Sequence, residues 1–386
     1  MTGTAIVVGA GIGGLAAAIG LRRIGWDVTV LERSIEVGEI GAGMSQAPNA
    51  LRALDALGVG AQARAAGTPF FATTNLRAPS GRYLMRAPSG APHSLLGFHR
   101  ADLHGVLRDA VPTASIQTGA KVTGFDHTAE HARVHIGDET LTADLVAAAD
   151  GIHSTARRLL WPGTPEPAFW NYTVWRGIAD LDLAAHEGCM TMGTDRYFLT
   201  MPLSRGRVYW ALGARAEAPG IRYADEREAV RERVAGWHVL IQNLLDATAA
   251  DRVLHHDITD LDHAPLPSLV NGRIALLGDA AHPMSPDLGQ GAGMAIEDAV
   301  VLAAALAEIG DPRAALARYD RERRSRTQWV AKAAHKNGHD ALMGSALHRR
   351  LLSLTLRLMT PTAFAKVSEK GLARLWGWQP PDLPRA

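Results

Sequence analysis

The chain opens on an unbroken apolar run, Ala5-Ile6-Val7-Val8, and runs of the same texture return within Asp144–Ala149 and Arg273–Leu277. A strand wetted on one face alternates apolar and polar residues, whereas one covered on both faces does not. All three runs are therefore predicted strands of a parallel sheet. The first leads into Gly9-Ala10-Gly11-Ile12-Gly13-Gly14, then a helix from Leu15 to Ile24 closed by Gly25, then a strand, Asp27–Leu31, ending in Glu32-Arg33. Strand, turn, helix and strand within about thirty residues make one βαβ unit of a dinucleotide-binding fold. The second run leads into Asp150-Gly151, the third into Gly278-Asp279 and a long apolar helix, Gly291–Ile309. Ligands of open parallel sheets lie at the carboxyl ends of strands, so the three ends are expected to converge on one ligand.

Between these runs the pattern changes. Strand-like segments at Asn171–Ala179, Arg196–Pro202 and Arg207–Ala214 are broken by turns and predict a mostly antiparallel sheet inserted into the nucleotide domain. A duplicated pentapeptide, Arg77–Gly81 and Arg86–Gly90, reads as two Pro-Ser-Gly turns around a short strand. Asp225 with Glu228 resembles a capping box before one amphipathic helix carrying Val230, Val234, Trp237, Ile241 and Leu244. After residue 312 the chain reads as helical and arginine-rich. Leu351, Leu352, Leu354, Leu356, Leu358 and Met359, with Trp376 and Trp378, form its packing face. The expected architecture is α/β. A discontinuous Rossmann-like domain (1–75, 98–167 and 271–340) encloses an inserted antiparallel substrate domain (76–97 and 168–270), followed by C-terminal helices (341–386).

Composition narrows the chemistry. Over 386 residues, 40 Lys and Arg balance 39 Asp and Glu, a formal charge of +1 that offers no global field for a nucleic acid. A single cysteine, Cys189, permits neither an intrachain disulfide nor a Cys-rich metal site and suits a reducing cytoplasm. Neither a signal peptide nor a transmembrane segment is expected. His127 and His131 lie four apart, but between strand-like residues, which argues for a hairpin tip rather than a helical metal site. Ser154 lies outside any G-x-S-x-G elbow, so a hydrolase triad has no support.

Gly9, Gly11 and Gly14 fit G-x-G-x-x-G in the required strand-to-helix context. There they permit the tight turn, the approach of a pyrophosphate and close helix packing, and Glu32 is placed for an adenosine ribose. That motif leaves NAD and FAD open. Asp279 separates them: directly after a buried strand its carboxylate needs a partner, and the ribityl chain of FAD is a polyol that supplies one. The glycine-rich stretch Gly289–Gly293 then offers backbone N–H groups at a helix start to an electron-rich ring edge.

Together these residues resemble the class A flavoprotein monooxygenases, the family of p-hydroxybenzoate, salicylate and FAD-dependent urate hydroxylases. The resemblance runs from Ile6 to about Arg326. It rests on Gly9, Gly11 and Gly14 with Glu32, on Asp150-Gly151 followed by His153-Ser154, and on Gly278-Asp279 through Gln290-Gly291. It implies an FAD cradle of Gly9, Gly11, Gly13, Gly14, Glu32, Arg33, Arg100, Asp150, Gly151, Asp279, Pro286, Gly289, Gln290, Gly291, Ala292 and Gly293. No second G-x-G-x-x-G follows, so NADPH or NADH is expected as a transient donor in a surface groove. The implied reaction is hydroxylation by O₂ of a small aromatic or heteroaromatic ring through a C4a-hydroperoxyflavin. Epoxidation, modification of tetracycline-like polyketides and a flavin oxidase are the alternatives. Substrate contacts are expected from the inserted sheet, where Trp175-Arg176, Arg196, Met201-Pro202 and Tyr209-Trp210 stand. Arg196 and Tyr209 resemble substrate-contacting residues of the urate hydroxylases and are the catalytic candidates, and His282 is a further candidate for deprotonating the substrate. Successive strand residues face opposite ways, so only one of Tyr209 and Trp210 lines a pocket.

Overall fold

The computed structural model describes residues 3–38, 42–70, 75–86, 95–184, 187–261, 264–343 and 359–384. The three apolar runs stand side by side in one six-stranded sheet. From edge to edge its strands are β18 (Val270–Asn271), β19 (Ile274–Leu276), β12 (Leu145–Ala148), β1 (Thr4–Val8), β2 (Asp27–Leu31) and β8 (Ile116–Gln117). All neighbours are parallel except the β18–β19 edge pair. Every residue from Ala5 to Val8 and from Leu145 to Ala148 is buried, which is why neither run alternates. The meander β9 (Gly124–His127), β10 (Ala132–Ile136) and β11 (Glu139–Ala143) adds Phe125, Val134 and Ala143 to this core. His127 and His131 lie at and beside the tip of its first hairpin.

α1 (Ile12–Arg23) and α8 (Gly291–Ile309) cross closely because small residues meet at their contact. A Cβ on Gly20 would come within 3.1 Å of the Ala303 Cβ, and one on Gly13 within 3.1 Å of the Ala295 Cβ. α8 is buried all round from Gly293 to Leu306, as expected of a helix without a polar face. Yet it carries two acids at its centre. The Arg323 guanidinium of α9 (Pro312–Met343) donates to Asp298 and to Glu297, each at 2.7 Å, and all three side chains are at most 1% exposed. Arg326 grips both Glu297 oxygens, at 2.6 and 2.8 Å. Asn49 of α2 (Pro48–Leu57) donates to Glu297 at 2.8 Å.

The second sheet has seven strands: β17 (Leu254–Asp260), β13 (Ala168–Asp180), β16 (Arg207–Arg215), β15 (Arg196–Leu203), β14 (Cys189–Met192), β5 (Leu76–Arg77) and β6 (Tyr83–Met85). Only β14 and β5 run parallel. A three-stranded sheet, β3 (Gly43–Gln46), β7 (Leu95–His99) and β4 (Thr68–Phe70), lies between the two larger ones, touching β13 and β15. α3 (Gly60–Ala66), α4 (Arg100–Asp109) and α5 (Thr155–Leu160) complete the nucleotide side.

The expected single amphipathic helix is two. α6 (Glu226–Arg233), capped by Asp225 on the Glu228 N–H at 3.0 Å, ends before α7 (Val239–Asp246). Gly236 between them has φ +74°, a turn that a continuous helix does not contain. Val230, Val234, Ile241 and Leu244 still bury together, so the apolar periodicity marked a shared core rather than one helix. The first pentapeptide forms the turn between β5 and β6; Ala87–Gly90 of the second, and Leu351–Leu358, lie outside the described residues. α10 (Pro361–Trp376) returns to the nucleotide side, where Arg52 donates to the Trp378 carbonyl and Arg326 to that of Leu375, each at 2.9 Å. Among the described residues no helix is long and apolar enough to cross a membrane.

Removing Arg323 takes the arginine from the buried Asp298 and leaves Glu297 to Arg326 and Asn49, so Arg323→Ala is expected to lower unfolding free energy by about 3 kcal/mol, read from the denaturant midpoint. The Arg323 and His282 charges hold the Asp298 carboxyl down at about 2, against an ordinary 3.8. A depressed carboxyl stabilises above its unfolded value, so this contribution is expected intact above about pH 4 and lost toward pH 2. An acid titration of the midpoint, flat in that window, would contradict it.

Candidate cofactor and substrate site

The carboxyl end of β1 turns sharply at Gly9, whose φ is +102° and whose N–H donates to the Leu31 carbonyl at 2.8 Å. A Cβ on Gly9 would fall 2.4 Å from the Ala149 oxygen, and one on Gly14 only 1.9 Å from the Gly9 oxygen. Both positions therefore admit glycine alone. Gly11 precedes α1 in extended conformation with no side-chain cap, which leaves the first N–H groups of α1 free for an anion. Glu32, half-buried at the end of β2, accepts from the Ala10 and Ser34 N–H groups, each at 2.8 Å. Each of its oxygens keeps a lone pair for a further donor. Arg33 is exposed beside it. His104, which sequence reasoning missed, binds the Ala10 carbonyl through Nε2 at 2.8 Å, and burial lowers its pKa. It braces the turn as a neutral ring.

At the end of β12, Asp150 serves a local purpose. Its oxygens accept from the Ser154 hydroxyl at 2.5 Å and from the Thr155 and Ala156 N–H groups at 2.7 and 3.1 Å, capping α5. Gly151 turns the chain there with φ +82°. From α5, the buried Arg157 donates to the Asp279 and Ala280 carbonyls at 3.1 and 2.9 Å and to that of Ile152. One side chain thus bolts together the turns after β12 and β19. Nothing in the local pattern distinguished Arg157 from its exposed neighbour Arg158, so the sequence did not reveal it.

The Asp279 side chain faces the cleft, open to solvent, and its carboxylate has no hydrogen bond to the described residues. Protein atoms crowd it enough to push its carboxyl above the ordinary value, against the pull of His282, Arg100 and Arg157. Arg100, first residue of α4, looks into the same cleft, and desolvation there lowers its pKa against the attraction of Asp279. His282 is turned away: its Nε2 meets the Asp298 carboxylate at 2.6 Å, and it lines a separate cavity of about 420 Å³ with Leu266 and Trp329. It does not reach the substrate sheet as a base.

The loop before α8 runs from Pro286 through Gly289, which has φ +60° and leaves no room for a Cβ beside the Ser45 hydroxyl, 2.8 Å away. Gln290 is buried and accepts from Asn49 at 3.0 Å, while Gly291 starts the helix with Asp279 nearby. Gly293 packs on the Ala50 Cβ, with the amide oxygens of Gln290 and Gln46 each 3.6 Å from where its own Cβ would stand. Gln46 is 1% exposed, yet among the described residues neither its amide nitrogen nor its oxygen has a partner. A buried amide left unpaired is costly, and a flavin ring edge, which offers both donors and acceptors, fits this position. The crowded turns, the open Asp279 and the orphaned Gln46 together suit FAD better than a smaller nucleotide.

On the seven-stranded sheet, alternation sorts the candidates. Tyr172, Val174, Tyr197, Met201, Tyr209 and Ala211 pack on one face, and Trp175, Phe198 and Trp210 on the other. Arg196 shares the second face, where it pairs with Asp195 at 2.7 Å and donates to the Arg233 carbonyl at 2.7 Å. The structure does not bring it to the cleft. Arg176 stands on the first face instead, 3.4 Å from His256 Nδ1 and within electrostatic reach of Tyr209 and Arg100. Tyr209 lies against β3, for a Cβ on Gly43 would fall 2.5 Å from its ring, and Gln46 closes the same strand. Cys189 is buried beside the Thr200 hydroxyl at 3.4 Å.

Comparison with known proteins agrees with this geometry. A family model described as FAD binding domain matches residues 2–334. The chain is 34% identical to an aurachin C monooxygenase/isomerase of Stigmatella aurantiaca, over 87% of this chain and 88% of that protein. It is 33% identical to an FAD-dependent urate hydroxylase of Klebsiella pneumoniae, over 90% and 94%. The solved structure of Klebsiella pneumoniae HpxO with FAD and uric acid superposes with a TM-score of 0.87 at 29% identity, covering 97% of this chain and 96% of that one.

The two crowded glycines give a test independent of any ligand. Gly14→Ala drives a Cβ into backbone and is expected to cost about 3 kcal/mol of stability or more. Gly13→Ala meets only a methyl at 3.1 Å and is expected to cost about 1 kcal/mol. Equal denaturation midpoints for the two variants would contradict this reading of the turn.

Proposed function

The chain belongs to the FAD-binding-domain family of flavin-dependent aromatic hydroxylases, and from that premise we propose that it hydroxylates an anionic, hydroxyl-bearing aromatic or heteroaromatic ring with NADH or NADPH as transient electron donor. In this reading the N-terminus of α1 and the Gly9–Gly14 turn hold the diphosphate, Glu32 the adenosine ribose, and Asp279 with Arg100 the ribityl region. Gln46 and Gly289–Gly293 border the ring system. Asp150 and Gly151 act one step back, by fixing α5 and, through Arg157, the turn that carries Asp279. When bound, FAD supplies the redox and O₂ chemistry, and the protein supplies position, dryness and charge.

Arg176 carries the substrate part of the proposal. It is a cation set into an otherwise apolar and aromatic sheet face, beside Tyr209, on the side from which it senses Arg100. A positive charge there neutralises a carboxylate or ring oxyanion, while Met201, Ala211 and Val174 keep water from the ring. Relatives named for urate, 3-hydroxybenzoate and 6-hydroxynicotinate have ring substrates of this chemistry. Tyr209 takes the place beside the ring that Arg196 leaves. Burial raises its phenol and Arg176 draws it back down, so Tyr209 is a hydrogen-bond donor rather than a base.

The protein is expected to purify yellow and to oxidise NADH or NADPH faster when a matching phenol, hydroxybenzoate, hydroxypyridine or purine is added. A colourless protein that releases no flavin on denaturation would refute the reading. Asp279→Ala is expected to weaken FAD binding by about 1.5–3 kcal/mol, and full occupancy at dilute protein would remove Asp279 from the cradle. Arg176→Met is expected to keep its flavin while KM for an anionic ring rises about ten- to a hundredfold, measured by stimulated NAD(P)H oxidation.

A further inference from the structure

The carbonyls of a helix's last turn have no partner within the helix, and an end that docks on protein must find them one. At the end of α10 this is done by two arginines from other helices. The Ala373 carbonyl accepts from the Gly377 N–H at 2.8 Å. Arg326 of α9 donates to the Leu375 carbonyl at 2.9 Å and reaches that of Arg374 at 3.5 Å. Arg52 of α2 donates to the Trp376 carbonyl and, at 2.9 Å, to that of Trp378. Both cations thus stand at the negative end of the helix dipole. Apolar side chains dock the same end. Leu375 is buried with Met294 and Val330, and Leu372 and Trp376 join Met284 and Leu288 around them. Met284 and Leu288 belong to the stretch that leads into Gly289, so the end of α10 backs the glycine-rich loop.

Arg326 is shared between this helix end and the core. The same guanidinium holds both Glu297 oxygens, at 2.6 and 2.8 Å. Glu297 in turn accepts from Asn49 Nδ2 at 2.8 Å, and that nitrogen also donates to Gln290 Oε1 at 3.0 Å. Glu297, Asn49 and Gln290 are all buried. A carboxylate only accepts, so Glu297 decides which way the Asn49 amide faces, and Asn49 in turn fixes the Gln290 oxygen toward itself. Hydrogen bonds therefore run unbroken from the Leu375 carbonyl to the loop that opens α8. We propose that α10 is a clasp on the flavin loop: Arg326 and Arg52 are positioning residues that, by docking Leu375–Trp378, hold residues 286–291 in the form that receives the flavin ring. The clasp rests on the flavin cradle described above and adds to it a segment, residues 361–378, that contains none of the cradle motifs. Arg52 separates the clasp from the buried ion cluster, because among the described residues it donates to the two C-terminal carbonyls and not to Glu297.

The test compares the full-length, flavin-loaded wild type with Arg52→Met and Arg326→Met. Release of FAD on dilution, followed by the flavin that passes an ultrafilter with time, is expected to be about tenfold faster in Arg326→Met and about threefold faster in Arg52→Met. Arg326→Lys is expected to fall between Arg326→Met and the wild type, since a lysine keeps the charge beside Glu297 but lacks the fork that also spans to the helix carbonyls. Backbone hydrogen exchange supplies a readout that a general loss of stability would not give. The amides of residues 287–293 are expected to exchange faster in both methionine variants, while those of residues 9–14 keep the wild-type rate. The proposal is overturned if both methionine variants release FAD at the wild-type rate, or if the two turns loosen equally. Exchange is read without flavin as well as with it, so it decides the clasp by itself; a wild type that never holds flavin refutes the cradle reading instead.

Discussion

A buried arginine between two buried acids holds this molecule in register. Arg323 joins Glu297 and Asp298 where α8 is buried all round, and any of the three alone would be prohibitively costly there. The cluster also reaches the site from two directions. Asp298 accepts the Gly278 N–H at 3.0 Å and so sets the turn that presents Asp279. Glu297, through Asn49, is linked to Gln290 in the glycine-rich loop. Charge pairing in the core thus fixes the geometry of two cofactor-facing turns that share no direct contact with Arg323.

The cleft is built from rigid backbone more than from side chains. Gly9 and Gly14 are confined by carbonyl oxygens, Gly289 by Ser45, and the Asp150 and Asp279 turns are clasped by Arg157. A large cofactor needs its walls in place before it arrives, because ordering them on binding would subtract from affinity. In the proposed reading, the exposed Asp279 carboxylate and the buried Gln46 amide, which has no partner among the described residues, are the groups a bound flavin would meet.

The seven-stranded sheet turns its two faces to different neighbours. Strand alternation places Arg176, Tyr197 and Tyr209 toward the cleft and commits Arg196, Trp175 and Trp210 to a second core closed by α6 and α7.

Much of this was legible in the chain. Continuous apolar runs predicted buried parallel strands because burial on both faces removes alternation, and glycines at strand ends predicted tight turns because no Cβ fits there. Motif order pointed to a dinucleotide cradle, and the family resemblance carried by those motifs implied a flavin and a hydroxylase class. The amphipathic stretch at 230–244 misled, since period reports a shared core and not the continuity of a helix. What sequence could not settle was which of two arginines, Arg176 or Arg196, meets the cleft. Strand parity relative to a distant partner decides that, and parity is set by register across β13, β16 and β15. Arg157 and Gln46 were invisible for a related reason: each matters through surroundings brought close only by folding. Local sequence determined the turns and the cofactor class, because backbone sterics act between neighbours; tertiary structure decided the substrate face and its charges, because electrostatics and hydrogen bonding act between residues far apart in the chain.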